Sequence, residues 1–235
     1  MTLGIRSLRY AWPGEPDPVL DIASLEVGPG ETLFLQGRSG SGKSTLLAAI
    51  AGVVEIGAGA VHLAGTDLGA LHGTARDRFR ADHVGIVFQQ FNLVPYLSTL
   101  DNVLLPCRFS RTRRARAAAG GSGEPASAAV RLLAHLGLGD ATVLHARALE
   151  LSVGQQQRVA AARALIGSPD LVLADEPTSA LDAALRDDFV DLLLAECRAA
   201  GSTLLFVSHD RGLAGHFDRT LDFAEINRAP RGRPC

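Results

Sequence analysis

Short, unbroken apolar runs alternate along this chain with segments whose apolar positions fit a helix. Thr32-Leu33-Phe34-Leu35-Gln36 reads as a buried strand, and Val84–Phe88, Leu171–Ala174 and Thr203–Val207 read the same way. Near the start, Ile5–Tyr10 and Leu20–Val27 predict two antiparallel strands. The Pro- and Gly-rich segment Trp12–Pro18 between them marks a loop. Helices are predicted at Leu46–Ala51, stopped by Gly52, and at Asn102–Phe109, Ser127–Leu136, Gln155–Ile166 and Ala183–Ala200. The stretch Gly120-Gly121-Ser122-Gly123-Glu124-Pro125 cannot continue a helix and is expected to be a flexible loop. Strands alternate with helices on both sides of a mainly helical middle, Gln89–Glu150. That order implies an α/β fold: a core with a mainly parallel sheet, an N-terminal antiparallel β part and an inserted α-helical part. There is no internal repeat and no coiled-coil heptad pattern.

Composition narrows the class. With 235 residues, 47% hydrophobic and 20% charged, the chain has the make-up of an ordinary globular core. A formal net charge of -2 argues against a dedicated nucleic-acid binder, and no nucleic-acid partner is expected. No run approaches the roughly 18 apolar residues that span a bilayer, and the first residues lack the apolar core of a secretory signal. Cys107, Cys197 and Cys235 are too few and too scattered for a disulfide framework or a metal site, which points to a cytosolic setting with reduced thiols.

Charge chemistry then isolates one position. Of the 23 Lys and Arg side chains, Lys43 is the single lysine. It lies in Gly37-Arg38-Ser39-Gly40-Ser41-Gly42-Lys43-Ser44, followed by Thr45, which fits the phosphate-loop pattern G-x-x-x-x-G-K-[ST]. A compact ammonium on a flexible stem fits between phosphate oxygens, where a planar guanidinium is too wide. The glycines let backbone N–H groups wrap phosphates, and the hydroxyl of Ser44 is placed to ligate Mg²⁺. The strand before the loop and the helix after it supply the context the motif requires. The helix N-terminus adds about half a positive charge beneath the phosphates.

A second motif, Leu171-Val172-Leu173-Ala174-Asp175-Glu176, is an apolar strand ending in two carboxylates. Ligands of open α/β sheets bind at the carboxyl ends of strands. Asp175 is suited to hold Mg²⁺ through water, and Glu176 is the candidate general base for an attacking water.

The segment Leu151-Ser152-Val153-Gly154-Gln155-Gln156-Gln157-Arg158 resembles the signature motif of ATP-binding cassette (ABC) ATPases. Other positions fit the same family in order. Gln89 resembles the Q-loop glutamine, Ser179-Ala180-Leu181-Asp182 the D-loop, His209 the switch histidine, and Tyr10 the aromatic residue that stacks on adenine. The resemblance runs from about Leu3 to Asn227. It implies a P-loop NTPase (RecA-like) core formed by residues 1–88 and 151–227, a helical subdomain at 89–150 and a short tail at 228–235, together one cassette. It further implies an ATPase using ATP and Mg²⁺, with a second copy in a head-to-tail dimer. Ser152, Gly154 and Gln155 would face the γ-phosphate held by the other copy. Gln89 would touch Mg²⁺ and the attacking water, His209 would contact the γ-phosphate, and Asp182 would link the two sites. Val153 stands where the family usually has a glycine, a position that varies in the family, and activity is expected to survive.

The segment Phe88–Ser98 resembles cassettes of the lipoprotein-release, macrolide-export and cell-division type, which are free-standing subunits paired with a separate membrane permease. Phe91, Leu93, Val94 and Tyr96 are then either part of the groove for that permease or ordinary subdomain core. The chain would sit in the cytoplasm against the inner face of the membrane. An amino-acid importer subunit is a similar alternative, and a soluble cassette acting on DNA or ribosomes a more distant one. Arg108, Arg111, Arg113, Arg114 and Arg116 admit a nucleic-acid or lipid-headgroup reading. As a charge run on an exposed helix they read as a solvated face.

Overall fold

The computed structural model describes residues 1–119 and 123–230. Gly120, Gly121 and Ser122 of the expected loop, and Cys235 with most of the tail, lie outside the described residues. The strands are β1 (Leu3–Tyr10), β2 (Leu20–Val27), β3 (Thr32–Gln36), β4 (Val61–Leu63), β5 (Thr66–Asp67), β6 (Val84–Val87), β7 (Leu171–Asp175), β8 (Thr203–Ser208) and β9 (Arg219–Asp222). The helices are α1 (Lys43–Ile50), α2 (Gly73–His83), α3 (Thr99–Phe109), α4 (Arg111–Ala119), α5 (Pro125–His135), α6 (Ala141–His145), α7 (Val153–Leu165), α8 (Ala183–Ala200) and α9 (Phe223–Ile226). Two sheets form: an antiparallel one in the order β2-β1-β4-β5, and a parallel one in the order β6-β7-β8-β3-β9. This is the α/β architecture expected from the alternation of elements, with a parallel sheet, an N-terminal antiparallel sheet and helices inserted between β6 and β7.

The unbroken apolar runs are explained by burial on both faces of the parallel sheet. Leu33, Leu35, Leu171, Leu173, Leu205 and Val207 pack with α1 and the antiparallel sheet. The residues between them, Phe34, Val172, Ala174, Leu204 and Phe206, pack on the other side with α7, α8 and the helical insertion. A period-two alternation therefore exists, but both of its faces are apolar.

Caps fix where the site-bearing helices begin. Ser98 accepts a hydrogen bond from the Asp101 N–H at 3.0 Å, so α3 starts three residues before the expected Asn102. Ser152 and Gln155 form a capping box at α7, and Asp182 caps α8 through the Leu185 N–H at 3.0 Å. Gly201, at φ 66°, closes α8 in the left-handed conformation that glycine adopts without strain.

The arginine cluster is not uniformly a solvated face. Arg108, Arg111, Arg114 and Arg116 are exposed, but Arg113 is buried at 2% exposure. From α4 it donates to the carbonyls of Ile166 (2.7 Å), Ala164 (2.5 Å) and Val84 (3.4 Å), so it caps the C-terminus of α7 from a neighbouring helix. Its burial pushes the guanidinium pKa down to about 10. Among the described residues, no helix is long and apolar enough to cross a membrane.

Candidate active site

Register aligns the ends of four strands. Val87 lies opposite Ala174, Asp175 opposite Val207, and Gln36 opposite Ser208, in parallel pairs. Glu176, His209 and Gly37, directly after their strands, and Gln89, two residues past β6, therefore leave the sheet along one carboxyl edge, where ligands of such sheets bind.

The Gly37–Gly42 loop joins β3 to α1 along that edge. Gly40 (φ 72°) and Gly42 (φ 103°) are left-handed, and a Cβ on Gly42 would lie 3.1 Å from the Val19 carbonyl oxygen. Lys43 is buried, and its Nζ donates to the carbonyls of Gly37 at 2.7 Å and Arg38 at 2.8 Å. Burial lowers the ammonium pKa, against the opposing pull of Glu176 and Asp175. Arg38, Ser39, Gly40 and Ser44 are exposed, and Thr45 is half-buried. Gly42 offers α1 no side-chain cap, so the first N–H groups of that helix need other acceptors. Ser41 Oγ is buried with no hydrogen-bond partner, a costly arrangement that a phosphate oxygen in the loop would relieve.

Two acids face this loop. The Ser44 hydroxyl lies beside the Asp175 carboxyl and favours its ionised form. Burial raises the Asp175 pKa and Glu176 adds to the rise, while Ser44 and Lys43 act against it. A hydroxyl and a carboxyl side by side at a glycine-rich loop are a donor set that suits Mg²⁺, which takes few protein oxygens and completes its shell with phosphate and water.

Glu176 turns sharply out of β7 at φ 46°, with its N–H held by the Val207 carbonyl at 2.9 Å. Its Oε2 meets His209 Nδ1 at 2.8 Å and Ser208 Oγ at 3.4 Å. A carboxylate only accepts, so Nδ1 carries the proton and Nε2 is free. Ser208 is not among the residues that the motifs single out. Its short polar side chain between a buried strand and His209 was the available signal.

The remaining positions lie around this centre. Tyr10 ends β1, packs edge-on against Trp12 (5.3 Å, 83°), and its carbonyl accepts from Val19, the residue pressed against Gly42. Gln89 is exposed in the turn after β6, and Asp182 is exposed at the head of α8. Ser152, Gly154 and Gln155 sit at the N-terminus of α7. No hydrogen bond or ion pair joins them to Lys43, Ser44, Asp175 or Glu176 among the described residues. Val153 is the first helical residue, 48% exposed and without positive φ, so its branched side chain costs no backbone strain.

Residues 20–179 match the family model described as ABC transporter. The chain belongs to the ABC transporter family. It is 45% identical over 203 residues to the uncharacterized ABC transporter ATP-binding protein YbbA of Escherichia coli (strain K12), covering 86% of this chain and 85% of that one. It is 45% identical over 208 residues to the lipoprotein-releasing system ATP-binding protein LolD of Anaeromyxobacter dehalogenans, covering 88% and 83%. Among solved structures it is similar to the dimeric post-hydrolysis state of the ATP-binding cassette MJ0796 bound to ADP and Pi. The TM-score is 0.80 at 32% identity, with 99% and 100% of the two chains covered. As an ABC cassette close to the lipoprotein-release and macrolide-export types, the chain is an ATP-binding subunit and an ATPase that works with ATP and Mg²⁺.

The four apolar residues after Gln89 divide in the cassette. Phe91 and Leu93 pack against the core, Val94 is half-buried and held through its backbone by Asn102, and Tyr96 is 73% exposed. A separate groove of about 690 Å³ lies between α2, β6 and α3, with Ile86, Phe88, Leu105 and Phe109 as its apolar lining and Arg78 and Arg80 as basic members.

Proposed function

We propose that the cassette works as a head-to-tail pair of copies, each completing the other's ATP site, and drives a separate integral membrane permease of the export, lipoprotein-release or mechanotransmission type. The observation that carries this reading is Gly154. Its φ is not left-handed, and a Cβ there would meet only Leu181 Cδ2 at 3.9 Å, an ordinary contact. Among the described residues nothing inside one copy requires a glycine at the head of α7, whereas close approach of another molecule's phosphate does.

Within such a pair, Gly37–Thr45 wraps the phosphates and Lys43 meets the terminal ones. Tyr10 lies under the base. Ser44 and Asp175, assisted by Gln89, would hold Mg²⁺, which would supply neutralisation of the charge on the transferring phosphoryl group. Glu176 accepts a proton from the attacking water, and His209 orients Glu176 through Nδ1 with its other ring nitrogen turned toward the γ-phosphate. Ser152, Gly154 and Gln155 of the second copy close the site with the N-terminal dipole of α7. Asp182 lies beside the seam and links the two sites.

The groove holding Phe88 and Phe109 suits an amphipathic helix with apolar and acidic residues from the permease. The cassette would then lie in the cytoplasm on the inner face of the membrane. Affinity purification from detergent-solubilised membranes should recover a multi-span protein, and Phe109→Asp should abolish that recovery with circular dichroism unchanged. Recovery of soluble proteins alone would contradict the reading.

A further inference from the structure

We propose that Arg163 is a positioning residue for Gln89. It sits in the last turn of α7, the helix that the signature begins, and reaches the segment following Gln89 across 71 positions of sequence. Its Nη1 donates to the Asn92 carbonyl at 2.7 Å and its Nη2 to the Phe91 carbonyl at 2.6 Å. Phe91 (φ 58°) and Asn92 (φ 49°) are the one pair of adjacent non-glycine residues in the left-handed region among the described residues. Bulky residues occupy that region only when their surroundings over-determine it. Local bonds alone are sparse: the Phe91 N–H reaches the Phe88 carbonyl at 3.0 Å and the Asn92 N–H the Gln90 carbonyl at 2.6 Å.

The fork of one guanidinium takes the two carbonyls together, and both bonds carry charge assistance. Burial lowers the Arg163 pKa, and these carbonyls compensate its desolvation. The consequence concerns Gln89, two residues before Phe91 and itself exposed, with no hydrogen bond of its own among the described residues. The turn fixed by Arg163 is what decides the direction in which Gln89 leaves β6. The same arginine belongs to the helix headed by Ser152 and Gly154, and with Asn92 it lines the groove beside α3. One side chain thus ties the signature helix, the Gln89 turn and the groove into a single body.

This inference rests on the proposed contact of Gln89 with Mg²⁺ and the attacking water. The test is a double-mutant cycle in purified protein with Gln89→Ala, Arg163→Lys and Arg163→Gln. Lysine keeps the charge but loses the fork, and carries the cycle alone if the glutamine variant does not fold. Measured quantities are kcat for ATP, affinity for a fluorescent ATP analogue, and the Mg²⁺ concentration giving half-maximal turnover. Arg163→Lys should lower kcat about tenfold to a hundredfold, as misplacement of one group by an ångström does. Nucleotide affinity should be kept, and the Mg²⁺ requirement should rise as it does in Gln89→Ala. In the Gln89→Ala background the arginine change should cost almost nothing more. Effects that multiply in the double variant would overturn the role of Arg163 and leave Gln89's intact. A Gln89→Ala variant with the parent's kcat and Mg²⁺ requirement would overturn both.

Discussion

The Glu176 carboxylate and the His209 imidazole meet at 2.8 Å, Oε2 to Nδ1, although 33 residues separate them. The contact exists because β7 and β8 are parallel neighbours in register and Glu176 takes a left-handed turn at φ 46° on leaving its strand. Glu176 is 15% exposed and His209 68%, so the acid is sheltered while the ring reaches outward. Glu176→Gln should slow turnover by about 10²–10⁴-fold, the usual contribution of a placed base, with ATP affinity retained and an ATP-bound dimer accumulating in size-exclusion chromatography. Because His209 holds that carboxylate as well as facing the γ-phosphate, His209→Ala should cost less in the Glu176→Gln background than in the parent. Steady-state rates of the three variants check this, and multiplying effects would separate the two residues.

Asp175 should cost the cassette stability. Its carboxyl holds a proton more firmly in the folded chain than in the unfolded one, chiefly through burial. The native state then binds more protons between the unfolded pKa and the raised folded one. Stability therefore falls as pH rises through that window, and the deficit persists at neutral pH. Asp175→Asn should raise the melting temperature by a few degrees at pH 7 without nucleotide, give no gain near pH 4, and abolish Mg²⁺-dependent turnover. Equal melting of the two proteins at pH 7 would remove the electrostatic cost.

Arg113 is a structural counterpart. Truncation to alanine strands the carbonyls of Ala164 and Ile166 at the end of α7, and each buried unpaired group costs about 1–3 kcal/mol. Arg113→Ala should therefore lose roughly 3 kcal/mol or more in denaturant unfolding, whereas Arg111→Ala, on the exposed side of the same helix, should lose under about 0.5. Similar losses in both would return Arg113 to the solvated face.

How much of this was legible in the sequence depended on where each residue's partners lie. The parallel strands could be read because both faces are buried: Leu33 and Leu35 point one way and Phe34 the other, so no polar residue interrupts the run. The loop around Lys43 could be read because its chemistry is contiguous. Helix α2 was missed because it has no buried residue and hence no apolar stripe. Strand β4 has three residues and is defined by pairing with β1, Leu3 opposite Leu63. Arg113 sits in a charge run whose other members are solvated, and only its carbonyl partners, about 50 positions later, distinguish it. The left-handed turn at Phe91 and Asn92 lacks the glycine that would have announced it, because Arg163 holds it from α7.

Completion of each ATP site by a second copy is most directly tested by mixing two inactive variants. Lys43→Ala spoils the phosphate loop, and Gly154→Asp spoils the head of α7, where an added Cβ meets only an ordinary contact within its own copy. Each variant alone should be inactive. In a mixed head-to-tail pair, the intact loop of one copy faces the intact signature of the other, leaving one complete site. Equimolar mixing should restore about a quarter of the parent's ATP turnover, since about half of randomly formed pairs are mixed and each has one working site of two. A mixture as inactive as its two components would contradict the shared site.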